Sequence, residues 1–568
     1  MSYRFSIVTC LVSLGMSAQS YVGFLSDNYS GVHGILNNPS SIADSRYKLD
    51  VNLAGVSTTL GTDLFSFKLN DLASNQFDFS ENLTVSNNNN VFSNIDVLGP
   101  SLLINLSPKD AIALSTRTRA YLNGYDIDGT TYNLVETSFE NEEDFGPIMS
   151  NGLNFALNSW AELGFSYARV VVDKEEHFLK AGATIKYLQG IANGYVHLGN
   201  LTLGYNTDLN EVVTGGTAVI GASGDIDDIT QVAEVFENFD YNTVSQFTGI
   251  GLDIGATYEW RPRYADYKYT NSEGEEIYYN NKNKYKVKIG VAITDIGSIN
   301  YTGINRPYDL GEVLSPEDFE DIEDLNSFEE FFLLGAGAPT EIEASNLPTM
   351  FHLNTDWNIN NKSLYLNFNA DLSTAVSGLN RIRNVNMLTV TPRFERKWFT
   401  VQLPVSLQQY TGVQAGFGFR AGPLYLGSGT ILTNAFNNAS NSFDVYAGLK
   451  LPIYQGRPKD TDGDGIDDKQ DKCPTEVGPV ENGGCPWSDV DKDGVNDALD
   501  ACPNTAGAID NRGCPLPDQD EDGIPDRDDS CPDLAGKPED NGCPDTDTDG
   551  DGLVDKEDNC PKIVGAKR

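Results

Sequence analysis

The sequence sets out one arrangement of carboxylates four times. The frames DTDGDGIDDKQDKC, DVDKDGVNDALDAC, DQDEDGIPDRDDSC and DTDGDGLVDKEDNC share the form D-x-D-x-D-G-[ILV]-x-D-x-x-D-x-C, and their cysteines, Cys473, Cys502, Cys531 and Cys560, are each 29 residues apart. A hard divalent cation takes about six to eight oxygens, and Asp at positions 1, 3 and 5 converges on one point when the chain curls around an ion. Gly at position 6 permits the sharp turn. Position 7 offers a backbone carbonyl while its apolar side chain packs inward, and Asp at positions 9 and 12 completes the shell. The expected ligands are Asp460, Asp462, Asp464, Asp468 and Asp471; Asp489, Asp491, Asp493, Asp497 and Asp500; Asp518, Asp520, Asp522, Asp526 and Asp529; and Asp547, Asp549, Asp551, Asp555 and Asp558. This is the EF-hand ligand order, but position 12 is Asp rather than Glu, and Cys-Pro follows where an EF-hand continues into a helix.

The frame resembles the thrombospondin type 3 repeat, a calcium-binding module with little regular structure, held by ions and disulfides. On that resemblance the expected cofactor is Ca2+, several ions in a structural role. From Arg457 to Arg568 there are 31 acidic against 12 basic residues, a net −19. Such a segment, without an apolar core, stays disordered by self-repulsion, and ions that neutralise its carboxylates turn it into a stiff rod. Cys485, Cys514 and Cys543 each follow the preceding frame cysteine by 12 residues. In an oxidising compartment they pair, with a connectivity that sequence alone does not fix. The resemblance implies Cys485 with Cys502 and Cys514 with Cys531, bridging neighbouring units, and puts Cys543 and Cys560 among the disulfide cysteines; pairing across twelve residues is the other candidate. The segments CPTEVGPVENGGC, CPNTAGAIDNRGC and CPDLAGKPEDNGC predict that CPKIVGAKR reaches its own Cys at position 572, so the chain reads as a fragment of a longer protein. In proteins of this resemblance an OmpA-like peptidoglycan-binding domain commonly follows such repeats.

The region before the repeats must carry them. Its composition is that of a strand-and-turn protein, rich in Tyr, Phe, Gly, Asn and Ser. From about Lys48 to Tyr454 apolar residues recur with period two: SLYLNFNADL alternates Leu364, Leu366, Phe368 and Ala370 with Tyr365, Asn367, Asn369 and Asp371, and TVQLPVSLQQY alternates Val401, Leu403, Val405 and Leu407 with polar partners. Residues two apart share one face of a strand. Further such segments include Trp160 to Val172, Phe178 to Leu188, Thr248 to Trp260, Lys284 to Ile293, Met350 to Ile359, Met387 to Arg396 and Asn441 to Leu451. Soluble strands average about five or six residues and membrane-barrel strands need roughly nine to eleven, so the pattern predicts a mainly β chain: a transmembrane antiparallel β-barrel of about 14 strands, followed by the irregular calcium-bound repeat stalk.

MSYRFSIVTCLVSLGMSA joins a positive charge at Arg4, a short apolar run and small residues before Gln19, the pattern of a cleaved signal peptide. Next comes GVHGILNNPSSIADSRYKLDVNLAGV, which resembles the start of outer-membrane barrels related to the FadL long-chain fatty-acid transporters and the PorV-like barrels of Bacteroidetes. There an Asn-Pro-Ala signature lies in a short segment plugging the lumen; Asn38, Pro39 and Ser40 match it, with Ser for Ala. The expected organisation is residues 1–18 signal peptide, 19–47 lumen plug, 48–456 barrel and 457–568 repeats.

The acidic inserts Asp225 to Asp240 and Pro307 to Glu343, partly helical in pattern, are expected as surface loops. An even number of strands begins and ends on one side, the periplasm in bacterial outer-membrane barrels, so the repeats are expected there. A net charge of −43 repels phosphate backbones and anionic lipid surfaces rather than attracting them, and excludes nucleic acid as a partner. The expected partners are outer-membrane lipid, peptidoglycan through the domain beyond the repeats, and other outer-membrane proteins of a larger machine. The expected function is a tether between outer membrane and cell wall; a FadL-like transporter, or a subunit of a secretion or insertion machine, is the alternative. His33, His177, His197 and His352 are scattered without metal-ligand spacing, and no G-x-S-x-G or P-loop occurs, so no enzyme activity is expected.

Overall fold

The computed structural model describes residues 20–67, 83–84, 86–130, 145–206, 208–224, 244–270, 276–320, 322, 325–374, 380, 382–437, 439–456 and 460–565. The signal segment and the first acidic insert lie outside the described residues. The chain divides into two units, residues 1–268 with 278–457, and 269–277 with 458–568.

The first unit is a closed antiparallel barrel of 14 strands. These are β1 Tyr47–Thr62, β2 Asn89–Leu98 with Ser101–Asn105, β3 Asp110–Ile127, β4 Phe145–Lys174, β5 His177–Asn206, β6 Glu211–Ser223 with Thr248–Trp260, and β7 Val287–Asn300 with Gly303–Asp309 and Val313–Leu314. Then follow β8, whose main run is Met350–Asn358, β9 Leu364–Ser373, β10 Met387–Glu395, β11 Phe399–Gln402 with Val405–Gln408, β12 Gly412–Ala415 with Phe417–Ala421, β13 Leu424–Ser428 and β14 Ser442–Tyr454. Closure is direct: β14 pairs with β1 from Tyr47 opposite Tyr454 to Gly61 opposite Ser442, so the chain enters and leaves the barrel at one end.

Alternation explains why these segments are strands. On β9, Leu364, Phe368 and Leu372 stand exposed on the outer surface, while Tyr365, Asn367 and Asp371 are buried inside. On β11 the outer set is Leu403, Val405 and Leu407, and Gln402, Ser406 and Gln408 face inward. A half-buried strand in water reads apolar-in and polar-out; here the order is reversed, as a lipid-facing wall requires.

β4 and β5 are 30 residues long. At roughly 3.3 Å per residue they run about 100 Å, far beyond what crossing a bilayer requires, and they continue past the end opposite the termini. The expected strand Phe178 to Leu188 is only the lower part of β5, because Gly190, Asn193 and Gly194 read as a break but pair in register with β4 across a bulge. The second acidic insert begins inside β7 and then forms two helices, α1 Pro316–Glu320 and α2 Leu325–Phe332. Phe328 and Phe332 pack with Tyr308, Leu310 and Leu314 over Val196, Leu198, Ala218 and Ile220 of β5 and β6, at the end opposite the termini.

From residue 460 to 565 the second unit has no strand. Its regular pieces are three short 3-10 turns, Val480–Asn482, Ile509–Asn511 and Pro538–Asp540, each ended by a left-handed residue, Gly483, Arg512 or Asn541.

Candidate functional site

In each repeat the carboxylates at positions 1, 3 and 5 come together: Asp460, Asp462 and Asp464; Asp489, Asp491 and Asp493; Asp518, Asp520 and Asp522; Asp547, Asp549 and Asp551. One oxygen from each lies within 4.8 Å of the others. Backbone turns set this up. In the first repeat Asp460 accepts from the N–H of Gly463 at 2.7 Å and of Gly465 at 3.0 Å, and Asp464 Oδ1 accepts from Ile466 N at 2.9 Å. Gly465, Gly494, Gly523 and Gly552 at position 6 all have positive φ, near +91° to +100°, which is why the frame demands glycine there. At position 7 Ile466 is fully buried, Val495 and Ile524 are half-buried and Leu553 is exposed, so the expected inward packing is complete only in the first repeat.

The position 3 residue uses Oδ1 to accept from the position 5 N–H, and its Oδ2 is shielded from water with no hydrogen-bond partner in all four repeats, Asp462, Asp491, Asp520 and Asp549. Oδ2 of Asp500 and Asp529 at position 12 is orphaned in the same way. Withdrawal from water and the crowding of the carboxylates at positions 1, 5 and 12 push the pKa of each position 3 acid up. Orphaned, mutually repelling oxygens fit a cation. Asp at positions 1, 3, 5 and 12 would hold Ca2+, which supplies positive charge and no reaction step.

Position 9 differs from the expectation. Asp468, Asp497, Asp526 and Asp555 turn to the chain and accept from the N–H at position 2, from Thr461, Val490, Gln519 and Thr548 at 2.7 to 2.9 Å. Hydrogen bonds to Ser488 and Thr548 hold the pKa of Asp497 and Asp555 down. These residues close the loop and do not join the cluster. Position 12 is fixed by its neighbours instead: Oδ1 of Asp471, Asp500, Asp529 and Asp558 accepts from the following cysteine N–H at 2.7 to 2.8 Å. A Cβ on Gly484, Gly513 or Gly542 would sit 2.0 to 2.1 Å from that carboxylate, so the glycine before each second cysteine makes room for a ligand.

The disulfides also correct the expectation. They join Cys473 to Cys485, Cys502 to Cys514 and Cys531 to Cys543, within repeats, with Cα atoms 4.9 to 5.0 Å apart, and Cys560 is unpaired and exposed. The left-handed residue after each 3-10 turn reverses the chain and brings the second cysteine back, which the spacing of 12 permitted but did not reveal. Neighbouring repeats meet through ion pairs, Arg527 with Asp510 at 2.7 Å and Lys556 with Asp540 at 2.6 Å.

Within the barrel, residues 20–46 fill the lumen at the end carrying the termini. Asn38 caps a 3-10 turn, Pro39–Ile42, accepting from Ser40 N at 2.9 Å and Ser40 Oγ at 2.7 Å, while its amide donates to Ala256 O at 3.1 Å and Val291 O at 3.2 Å on β6 and β7. Gly182 and Gly255, paired on β5 and β6, form the seat: a Cβ on Gly255 would lie 2.3 Å from Asn38 Oδ1, and one on Gly182 would lie 2.7 Å from the Pro39 backbone. The Asn-Pro-Ser triplet is thus a key shaped to a glycine notch.

Ion pairs surround it. Asp27 takes Arg420 at 2.8 Å; Asp44 takes Arg261 and Lys284 at 2.9 Å and Arg46 at 3.0 Å; Lys450 donates to the carbonyl of Tyr29 at 2.6 Å. Higher in the lumen Arg117 pairs with Asp96, Arg119 with Glu162 and Asp295, and Lys186 with Asp253 and Asp295. All are buried. His33 is hydrogen-bonded to Tyr425 at 2.6 Å, and His352 lies between Thr294, at 2.9 Å, and Asp371, at 2.5 Å. Two cavities of about 70 and 80 Å³ lie beside the plug among the described residues; Leu25, Ser26, Asn37 and Asn354 line both.

A closed, plugged barrel followed by aspartate-loop repeats is the class this architecture defines. The chain belongs to the family of unknown function DUF5723, matched across residues 39–429, and thrombospondin type 3 repeats are matched at 458–478, 485–509 and 542–567. No curated protein matches it. Solved structures that align include the TodX deltaS2S3 mutant monoaromatic hydrocarbon channel, at 10% identity over 78% of this chain and 98% of that one with a TM-score of 0.40. The Ralstonia pickettii toluene transporter TbuX aligns at 11% identity over 75% and 94%, TM-score 0.36, and a Pseudomonas aeruginosa FadL homologue at 11% over 77% and 98%, TM-score 0.33.

Proposed function

We propose that this protein is an outer-membrane anchor. The barrel sits in the lipid by its apolar wall, and the repeats, bound to Ca2+, lie in the periplasm. A peptidoglycan-binding domain beyond the repeats, of the kind the repeat resemblance implies, ties the membrane to the cell wall. The observation that carries this reading is the plug: residues 20–46 fill the lumen at the end carrying the termini and are fixed there by buried ion pairs, so the barrel serves as a fixture. Buried pairs are costly to break one partner at a time, which suits a permanent closure. The test is a pull-down on purified peptidoglycan of native protein recovered from outer membranes, beside the form ending at Arg568. Binding by the native form alone supports the anchor; binding by neither removes it.

Transport is the second reading, favoured by one observation. The two cavities share Leu25, Ser26, Asn37 and Asn354 of their linings, so displacement of the plug would join them into one path. Solute uptake by vesicles carrying the intact barrel would support it.

A further inference from the structure

The exposed charge of the barrel is sorted by end. Every exposed Lys and Arg among its described residues lies at the rim where the chain enters and leaves, in turns or at strand ends; among them are Lys48, Lys109, Lys174, Lys282, Lys362 and Lys397. Among the described residues the exposed acids of this rim are fewer, Asp173, Glu175 and Asp266, and Asp266 is paired with Arg263 at 2.5 Å. The opposite end presents Asp208, Asp309, Glu317, Asp318 and Glu330, and no exposed base among the described residues.

Tryptophan is sorted the same way. Of the 5 in the chain, Trp160 is buried in the lumen and Trp487 belongs to the repeats. The remaining three, Trp260, Trp357 and Trp398, are exposed by 39, 44 and 61%, and all stand at the basic rim. Cations and rings interleave there: Lys286 Nζ lies 5.9 Å from the Trp357 ring, and Lys397 Nζ lies 4.8 Å from Tyr454, whose ring Trp398 meets edge-on at 5.1 Å.

We infer that this rim is a binding surface for the headgroups of anionic phospholipids in the leaflet on the side of the termini. The inference rests on the reading of the barrel as membrane-spanning. Amphipathic aromatic rings settle at headgroup depth, and bases at that depth attract anionic lipid. The placement favours lipid over a soluble polyanion. The bases are spread along the barrel's edge, in the turns after β2, β4, β8 and β10, rather than gathered into one patch, and a protein of net charge −43 repels a large polyanion before contact. Lipid already in the plane of the membrane meets the rim without crossing that field.

The test uses the full chain inserted into vesicles of phosphatidylcholine with a minor share of phosphatidylglycerol, and measures by mass spectrometry the lipids retained when the protein is extracted. The expected result is enrichment of phosphatidylglycerol by roughly threefold or more over its bulk share, falling as salt is raised. The triple variant Lys109→Glu, Lys362→Glu, Lys397→Glu abolishes it, and the milder Lys→Gln triple reduces it. Reversal at the far end, Asp309→Lys, Glu317→Lys, Glu330→Lys, leaves it unchanged. Inserted wild-type protein without enrichment overturns the inference, as does a rise in enrichment on the far-end reversal as large as the loss on the rim reversal, since net charge alone would then explain both. Failure to insert into any vesicle instead overturns the membrane-spanning reading beneath it.

Discussion

Arg261 reaches Asp44 inside the barrel, Nη2 to Oδ2 at 2.9 Å, although 217 residues separate them. The same carboxylate takes Arg46 and Lys284, so one plug residue compensates three buried cations.

Removing it takes the carboxylate from Arg46 and Lys284, while Arg261 keeps Glu259 at 2.7 Å. Breaking a buried pair from one side costs about 3–5 kcal/mol, so Asp44→Ala is expected to loosen the plug while the strand ladder persists. Protease nicking within residues 20–46 and single-channel conductance of the reconstituted barrel both rise. A variant as resistant and as closed as the wild type would show that the glycine notch alone retains the plug.

The repeats separate ligand from scaffold at the level of one residue. Asp491→Asn at position 3 is expected to weaken calcium binding in its repeat on the order of tenfold or more, because it removes charge from the cluster. Asp497→Asn at position 9, whose carboxylate holds Val490 N at 2.9 Å, affects affinity much less. Calcium titration calorimetry on the whole protein decides; equal losses would place position 9 in the coordination shell.

Acidity acts on two sets of carboxylates in the ion-free repeats with opposite signs. The folded-state pKa values of Asp462, Asp491, Asp520 and Asp549 are raised, so these groups favour the folded loops as pH falls through the carboxylate range. Those of Asp497, Asp510, Asp545 and Asp555 are held down, so these groups favour the folded loops as pH rises through it. Protons compete with calcium for the oxygens of the first set, so calcium affinity falls on acidification. A site-resolved NMR titration in chelator should place the midpoint of Asp491 above that of Asp497; the reverse order would contradict it.

Thiol counting tests two readings at once. In the form ending at Arg568, with three disulfides formed and the signal segment removed together with Cys10, one thiol, Cys560, reacts with maleimide before reduction. Two reactive thiols would mean that Cys10 is retained, and three or more would mean that a repeat disulfide is open.

Much of this could be read from spacing, and what could not has a common cause. The outward sets on β9 and β11 and the convergence of positions 1, 3 and 5 are local, fixed by residues two apart on one chain. The lumen is not local: Asp27 meets Arg420 across 393 residues, and only closure of the sheet brings them together. A weaker signal was there, since Arg117 and Arg119, Lys180 and Lys186, Asp253 and Glu259, and Arg393 and Glu395 place charges on the inward phase of their strands. Trp160 misled by its company: it precedes the outward Leu163, Phe165 and Tyr167 but faces inward, stacked on Tyr121 at 5.4 Å. Position 9 was misread because an acid that closes a turn and an acid that binds a cation look the same in sequence; hydrogen-bond geometry alone tells them apart.

The intra-repeat disulfides give the stalk a mechanical limit. Under tension a bond from Cys502 to Cys514 bypasses the 12 residues between them, so a pulled repeat lengthens only through the 17 residues from one pair to the next, as from Cys485 to Cys502. At roughly 3.6 Å per residue that is a contour of about 60 Å, and the travel before covalent bonds bear the load is that length less the folded distance between the two cysteines. The segment that yields is the one holding the aspartate loop, so each ion acts as a catch that must let go before its repeat can stretch.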